Sequence, residues 1–175
     1  MSLMRIASLI FLIMISGCQY VSVQSSQLSA VISAFRSDSE EFVGYQWAVQ
    51  YGGYLAAVQP VMAAPSTVFV NDIDAVSFDG WLVTKVSGLN SFTPAWEIYD
   101  SGNQRSFSVN GQVMATHQCD TWLKKNAESG VRFEQHCSGQ SAYTNTILVD
   151  NLGQITDIAQ VVDSTLMVLR LKFHK

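Results

Sequence analysis

Two short stretches of the sequence place histidine beside cysteine and could therefore bind a metal ion. His117 stands two residues before Cys119, and His136 directly precedes Cys137. Histidine nitrogen and cysteine sulfur are common ligands of Zn²⁺. If both stretches are strands, however, His117 and Cys119 share one face, whereas His136 and Cys137 point to opposite faces. At most three of the four side chains can then converge without a β-bulge.

The same two cysteines have a simpler explanation as a disulfide. Disulfides form in chains that leave the cytoplasm, and this N-terminus has the features of a secretory signal. Cys119 and Cys137 are the two cysteines that remain once such a signal is removed. Closing a loop of this length stabilises the fold by about 3 kcal/mol in the chain-entropy model. We therefore expect a Cys119–Cys137 disulfide and no bound metal.

Two nearby carboxylates raise the question of catalysis. Asp72 and Asp74 would face the same side of a strand, and paired carboxylates cleave glycosidic bonds. A polar loop between two strands explains them more simply. The sequence contains no Gly-x-Ser-x-Gly, His-Glu-x-x-His, phosphate-binding glycine loop or calcium loop. We therefore expect no catalytic residues, no cofactor and no enzymatic activity.

Aromatic rings are the remaining side chains with a potential role in binding. The four tryptophans are Trp47, Trp81, Trp96 and Trp122. Sugar-binding sites often use such rings as stacking platforms, but a β-protein of this size also needs large side chains in its core. We expect at least two of the four in the core, and take Trp81 and Trp96 as candidates for stacking on a ligand.

Size and charge limit the class of partner. The chain has 175 residues, enough for one ordinary domain and too few for two comfortable ones. Its formal charge is −4, and it becomes −5 when Arg5 is removed with the signal. Nucleic acids and anionic lipid headgroups both require a basic patch, which this chain lacks. We expect neither as a partner.

The N-terminus has the pattern of a lipoprotein signal. Residues 1–5 supply a single Arg, and residues 6–15 contain no charge. Ten apolar residues span about half of a bilayer, which needs roughly 20 in a helix. A basic start, a short apolar run and small residues behind it predict a signal peptide over residues 1–17. The ending Ile-Ser-Gly-Cys resembles a lipobox, so we expect Cys18 to be lipidated and to become the new N-terminus.

The residues after Cys18 are predicted to tether the domain to a membrane. Two or three acyl chains hold a protein stably on a bilayer. Gln19 favours the outer membrane under enterobacterial sorting, and we expect the periplasmic face. Residues 18–26 are polar and form a tether, and the domain follows over residues 27–175. The spacing of Leu28, Val31 and Phe35 predicts one short amphipathic helix at its start.

Beyond residue 41 the apolar pattern changes from a period of 3.6 to a period of 2. Gly52-Gly53, Asp79-Gly80 and Asn110-Gly111 are turn signals between the segments. The predicted strands are 42–50, 54–61, 67–70, 75–78, 81–86, 96–99, 105–109, 112–118, 131–137, 145–149, 154–161 and 167–173. Many short strands at even spacing predict a mainly β fold with a single antiparallel domain. We expect a curled sheet that forms a half-barrel, a barrel or a sandwich.

Several segments resemble one known family. They are the lipobox with its short helix, the Asp-Gly turn and strand at residues 76–89, His117-Gln118-Cys119 leading to Trp122, the hairpin at residues 147–155, and the last strand at residues 168–173. These segments are similar to those of the YjbF/GfcB family of group 4 capsule and exopolysaccharide lipoproteins. The chain departs from that pattern in being shorter and in its residues 51–65.

The resemblance implies a non-enzymatic outer-membrane lipoprotein that assists the secretion or assembly of a capsule or biofilm matrix. It implies an outer-membrane β-barrel protein and periplasmic secretion proteins as partners, with polysaccharide as a further candidate. A lipid or lipoprotein carrier is the alternative, since such receptors are also lipid-anchored and largely β, with an apolar half-barrel cavity. A polysaccharide-processing enzyme is a third hypothesis, which no residue pattern in the sequence supports.

Overall fold

The computed structural model describes residues 46–174, which form one antiparallel sheet. The strands are β1 (Gln46–Tyr51), β2 (Tyr54–Ala63), β3 (Ser66–Val70), β4 (Ala75–Phe78), β5 (Val83–Gly88), β6 (Phe92–Ser101), β7 (Gln104–Val109), β8 (Gln112–Cys119), β9 (Leu123–Ala127), β10 (Gly130–Ser138), β11 (Ala142–Asp150), β12 (Ile155–Val161) and β13 (Val168–His174). The mainly β, antiparallel fold predicted from the sequence is confirmed. In this part of the chain no helix is long and apolar enough to cross a bilayer.

The N-terminal predictions lie outside the described residues. They are the signal peptide (1–17), the lipidated Cys18, the tether (18–26) and the short helix.

The sheet closes on itself as a barrel. Neighbours along the chain pair as antiparallel hairpins, and β13 returns to pair with β1, where Trp47 lies opposite Phe173. β10 pairs with β11 along one edge and with both β8 and β9 along the other. Because β8 and β9 follow each other along that edge, they act as one interrupted strand, and the barrel has 12 strands.

The contact between β8 and β10 is a short seam. Two residue pairs form it, Cys119 opposite Cys137 and Gln118 opposite Ser138. A disulfide joins Cys119 to Cys137, whose Cα atoms are 4.0 Å apart. The structure thus contains the predicted disulfide, which adds a covalent bond where the hydrogen-bonded ladder is shortest.

Alternating side chains fill one side of the barrel interior with apolar groups. Val49 of β1, Leu171 of β13 and Ile158 of β12 are neighbours across the ladder, and each is 0% exposed. Burying an aliphatic side chain of this kind stabilises the fold by roughly 1.5–3 kcal/mol. Trp47 belongs to the same core and packs on Phe69 at 4.9 Å between ring centroids.

The Asn110-Gly111 turn has the form that its sequence predicts. Both residues have positive φ, 51° and 77°. Val109 lies opposite Gln112, so the loop contains two residues. Positive φ at both central positions defines the type I′ hairpin, whose twist matches that of the strands.

The Asp79-Gly80 turn is longer than expected. The Asp79 Oδ1 accepts hydrogen bonds from the backbone N–H groups of Trp81 (2.8 Å) and Leu82 (2.7 Å). This Asx turn keeps residues 79–82 out of the ladder, and β5 therefore begins at Val83. Trp81, predicted as the first residue of a strand, lies in the loop.

Candidate functional site

An open cleft lies beside the seam, where β6 turns into β7 and β8 breaks before β9. Its volume is about 940 Å³. Its lining residues are Asp100, Gly102, Asn103, Cys119, Asp120, Thr121, Trp122, Leu123 and Gln135. The backbone of Asp120 is fixed to β10, because its N–H donates to the His136 carbonyl (2.8 Å) and its own carbonyl accepts from Gln135 Nε2 (3.0 Å). The backbone at the break between β8 and β9 is therefore held in a defined position. We call the cleft that these residues line the seam cleft.

A buried arginine lies behind the seam cleft. Arg105 of β7 is 0% exposed, and its Nε and Nη2 donate to the two carboxylate oxygens of Asp100 at 2.8 and 2.9 Å. Nη2 also donates to Gln135 Oε1 at 3.0 Å. Among the described residues, the Arg105 Nη1 has no hydrogen-bond partner. The two-point ion pair fixes the orientation of Asp100 at the cleft wall.

The polar network continues across the interior through two amides. Asn145 of β11 is 0% exposed and donates from Nδ2 to Gln135 Oε1 (3.2 Å) and to Cys137 Sγ (3.4 Å). Its Oδ1 accepts from the backbone N–H of Val161 (3.0 Å). The amide of Gln135 therefore links Arg105, Asn145 and the cleft backbone. Buried amides cost free energy unless hydrogen-bonded, so this network favours one arrangement of the strands.

His117 belongs to the same buried side of the barrel. It lies opposite Arg105 in the ladder, and its Nδ1 is 2.8 Å from the Tyr143 hydroxyl. Burial, and then the nearby Arg105 charge, lower the pKa of His117 below its usual range. Burial also raises the pKa of Tyr143 to about 12. Both side chains are therefore neutral near pH 7.

His136 does not join His117. It is exposed on the opposite face of β10 from Cys137, and its Nδ1 contacts Thr144 Oγ1 at 3.0 Å. Cys119 and Cys137 are bonded to each other. Over residues 46–174, no three His, Cys, Asp or Glu side chains are arranged to hold a metal ion.

Three aromatic rings stand together at the side of the seam cleft. Trp81 is 48% exposed, and its ring lies 5.7 Å from Trp122, which lines the cleft. The Trp81 ring also packs on Phe133 in a T-shaped arrangement, with 5.1 Å between the ring centroids and 88° between the ring planes. We call these three residues the aromatic cluster.

A glutamine inside the barrel fixes the backbone of the aromatic cluster. Gln160 of β12 is 1% exposed, donates from Nε2 to the Trp81 carbonyl (2.7 Å), and accepts at Oε1 from the Val83 N–H (3.0 Å). Since β12 and β5 are not neighbours in the sheet, these bonds cross the barrel. Together with the Asp79 turn, they hold the backbone of Trp81 where its ring contacts Trp122.

The other stacking candidate lies elsewhere. Trp96 of β6 is partly buried, and its ring packs on Phe92 at 6.4 Å and 88°. It does not line the seam cleft. The structure therefore brings Trp81 together with Trp122 and leaves Trp96 apart from them.

The two candidate catalytic carboxylates occupy different environments. Both lie in the connection between β3 and β4, as the loop interpretation expects, but Asp72 is exposed and Asp74 is 1% exposed. Asp74 accepts hydrogen bonds from the Tyr54 hydroxyl (2.6 Å), Asn71 Nδ2 (2.8 Å) and the Leu89 N–H (2.7 Å). These bonds join three turns at one end of the barrel. Asp74 thus has a structural role in the fold.

Comparison with known proteins gives a likeness of fold. No family model matches this sequence. A search of curated proteins finds no match either. Among solved structures, the chain is similar to the crystal structure of the hypothetical lipoprotein YmcC from Escherichia coli K12, with a TM-score of 0.54 and 13% identity over 88% of this chain and 97% of that one. The architecture of the chain is thus one that a bacterial lipoprotein adopts.

Sequence reasoning missed several residues of this site. Arg105 and Gln135 were not singled out, and Trp122 was not among the stacking candidates. The sequence does contain one signal for Arg105. It lies two residues before Phe107, so both side chains point to the same face of the strand. A charge on the apolar face of a strand predicts a buried partner.

Proposed function

We propose that this protein is a non-enzymatic, lipid-anchored protein of the outer membrane that assists the secretion or assembly of a capsule or exopolysaccharide. The observation that carries the proposal is that a barrel with the fold of a bacterial lipoprotein follows a lipobox ending at Cys18. The resemblance to the YjbF/GfcB family supplies the pathway. Under this proposal the periplasmic face of the outer membrane is its location.

The anchor and tether would keep the barrel close to the membrane. The eight residues after Cys18 reach, when fully extended, at most about 28 Å. The partners under this proposal are an outer-membrane β-barrel protein and periplasmic secretion proteins that meet the protein at the membrane. In such a role the protein acts through binding surfaces distributed over many contacts.

The environment of the carboxylates supports a role in binding. Glycoside cleavage needs two carboxyl groups facing one substrate. Asp74 is buried and accepts three hydrogen bonds from the protein, whereas Asp72 is exposed. The pair therefore lacks a shared substrate position.

The packing of the interior favours this function over a lipid or lipoprotein carrier. A carrier holds its apolar cargo in a cavity. Here Val49, Phe107 and Leu171 are each 0% exposed and belong to one continuous cluster of buried apolar side chains. On β7, β10 and β11 the interior also holds Arg105, Gln135 and Asn145 beside the apolar Phe107 and Ile147.

Gene deletion tests the proposal. We expect deletion to reduce surface polysaccharide while polymer synthesis continues, and Cys18→Ala to reproduce the defect because the protein loses its anchor. The measurements are surface polysaccharide, total polymer, and palmitate-analogue labelling of wild type and variant. Normal surface polysaccharide with defective lipoprotein transport would support the carrier instead. A folded, abundant Asp72→Asn variant as defective as the deletion would support an enzyme.

A further inference from the structure

We propose that the seam cleft binds an uncharged stretch of a polysaccharide chain, with sugar rings lying against Trp122 and Trp81. The inference deepens the proposed function and rests on it, because it names the polymer as a direct ligand and gives the chemistry of the segment bound. It follows from the size of the cleft, its aromatic wall, its available polar groups and its charge.

The size and form of the cleft suit an oligosaccharide segment. Its volume of about 940 Å³ lies in the range of ligand-binding sites. The cleft is open to solvent, as a polymer requires, because a long chain must enter and leave without its end being inserted. Residues 120–122 and the β6–β7 turn form its two sides.

Trp122 gives the cleft an apolar wall, and the exposed ring of Trp81 extends this surface beyond the lining. The C–H groups on one face of a pyranose ring pack against the electron-rich face of an indole. Trp81 remains 48% exposed beside Trp122 and Phe133, although a ring of this size is usually buried. Gln160 and Asp79 hold its backbone on both sides, so little entropy would be lost when a sugar binds.

Polar groups on both sides of the cleft are available to sugar hydroxyls. No hydrogen bond within residues 46–174 involves the side chains of Asn103, Asp120 or Thr121. They offer an amide, a carboxylate and a hydroxyl, which can donate to and accept from sugar hydroxyls. Asp100 and Gln135 also line the cleft and are already bonded to Arg105, which holds them in place.

The charge of the cleft disfavours a polyanion. Arg105 neutralises Asp100, and Asp120 is the remaining ionic group on the lining. A basic side chain near the aromatic cluster in the ladder is Lys124 of β9, which lies opposite Phe133 of β10. One acid and one base do not make the basic footprint that a uronate polymer requires. A neutral segment brings no further negative charge close to Asp120, and its hydroxyls can donate to that carboxylate.

Binding to the native polymer tests the proposal. The full chain, purified from membranes in detergent, is titrated with surface polysaccharide of the parent strain, separated by anion exchange into neutral and acidic pools. We expect the neutral pool to bind and to change tryptophan fluorescence. Trp81→Ala and Trp122→Ala should each weaken binding by about tenfold. Trp96→Ala is the matched control and should bind as wild type does, with circular dichroism confirming that each variant is folded.

Each other outcome would overturn the proposal. Binding of the acidic pool alone would show that the ligand is anionic, and absence of binding by both pools would show that the cleft takes no glycan. Unchanged affinity in folded Trp81→Ala and Trp122→Ala would place the site elsewhere. A photo-reactive residue at Thr121 that captures a protein and no glycan in cells would indicate a peptide ligand. In all these cases the deletion experiment still tests the proposed function, so the two failures are distinguishable.

Discussion

The two sides of the barrel interior are equally buried but chemically different. On the side of β1, β12 and β13, Val49, Ile158 and Leu171 form an apolar layer, and Gln160 of β12 sends its hydrogen bonds across the barrel to residues 81 and 83. On the side of β7, β10 and β11, Arg105, Gln135 and Asn145 are joined by directional hydrogen bonds. Apolar packing stabilises any well-filled arrangement, whereas a polar network stabilises the one arrangement that satisfies it. We infer that the apolar side supplies most of the stability and that the polar side fixes the shape of the seam cleft.

The largest effect is expected on the apolar side. Leu171→Ala should lower the free energy of unfolding by roughly 2–5 kcal/mol, because it removes buried methyl groups and leaves a cavity. Urea denaturation measures this loss. Lys172→Ala, at the exposed neighbouring position, is the control and should change stability by less than about 0.5 kcal/mol. A loss below about 1 kcal/mol in Leu171→Ala would contradict the assignment of stability to this side.

The disulfide gives the next largest effect. The double variant Cys119→Ser with Cys137→Ser should lose roughly 3 kcal/mol, because the loop of 18 residues is no longer closed in the unfolded chain. Since the β8–β10 ladder has two residue pairs, we also expect hydrogen exchange to accelerate in β8 and β10 more than in β12 and β13. Equal acceleration in all four strands would show that the seam is not a local weak point.

The apolar side was predictable from the sequence because it follows alternation. In strand β1, Trp47, Val49 and Tyr51 are buried at every second position. The same alternation predicts a strand over residues 112–118, which agrees with β8 to within one residue. Strand β9 was missed, since Leu123–Ala127 carries two lysines and pairs through its backbone. Strand β6 begins at Phe92, four residues before the predicted start. The sequence pattern does not predict these residues as strand, since Pro94 lacks an N–H and proline disfavours a position in the ladder.

The polar side and the seam cleft were much less predictable. Trp81 and Trp122 are 41 positions apart in the sequence, and their contact depends on a Gln160 side chain that crosses the barrel. No local pattern encodes such a bond. The Cys119–Cys137 pair was predictable because an exported chain with two cysteines leaves one pairing. The sequence does not indicate which of Trp81 and Trp96 lies beside Trp122, because this depends on how distant strands come together in the fold.

A single amide should report on the polar side with a smaller effect. Asn145→Leu keeps the number of side-chain heavy atoms but leaves the Val161 N–H without its acceptor. It also removes one of the two donors to Gln135 Oε1, since Arg105 Nη2 remains. We expect a loss of roughly 1–3 kcal/mol in urea denaturation. Asn126→Leu, at an exposed position of β9, is the matched control. A variant as stable as wild type would show that apolar packing can replace the network.

The smallest effect concerns the two histidines, which differ as the two faces of the sheet differ. His117 is 4% exposed and contacts Tyr143, Phe107 and Arg105, whereas His136 is exposed. Burial lowers the pKa of His117 in the folded protein below its value of 6.5 in an unfolded chain. The unfolded state therefore binds more protons in the interval between the two values.

Because the unfolded state gains protons first, the free energy of unfolding should fall as the pH drops below about 6.5 and level off below the folded pKa of His117. His117→Asn keeps a polar group near Tyr143 but cannot take up the proton, so it should remove this part of the slope. Urea denaturation of wild type and His117→Asn between pH 5 and pH 8 measures the difference, since this range brackets an ordinary histidine pKa. A slope in His117→Asn as steep as in wild type would show that the buried histidine is not the group that makes stability depend on pH.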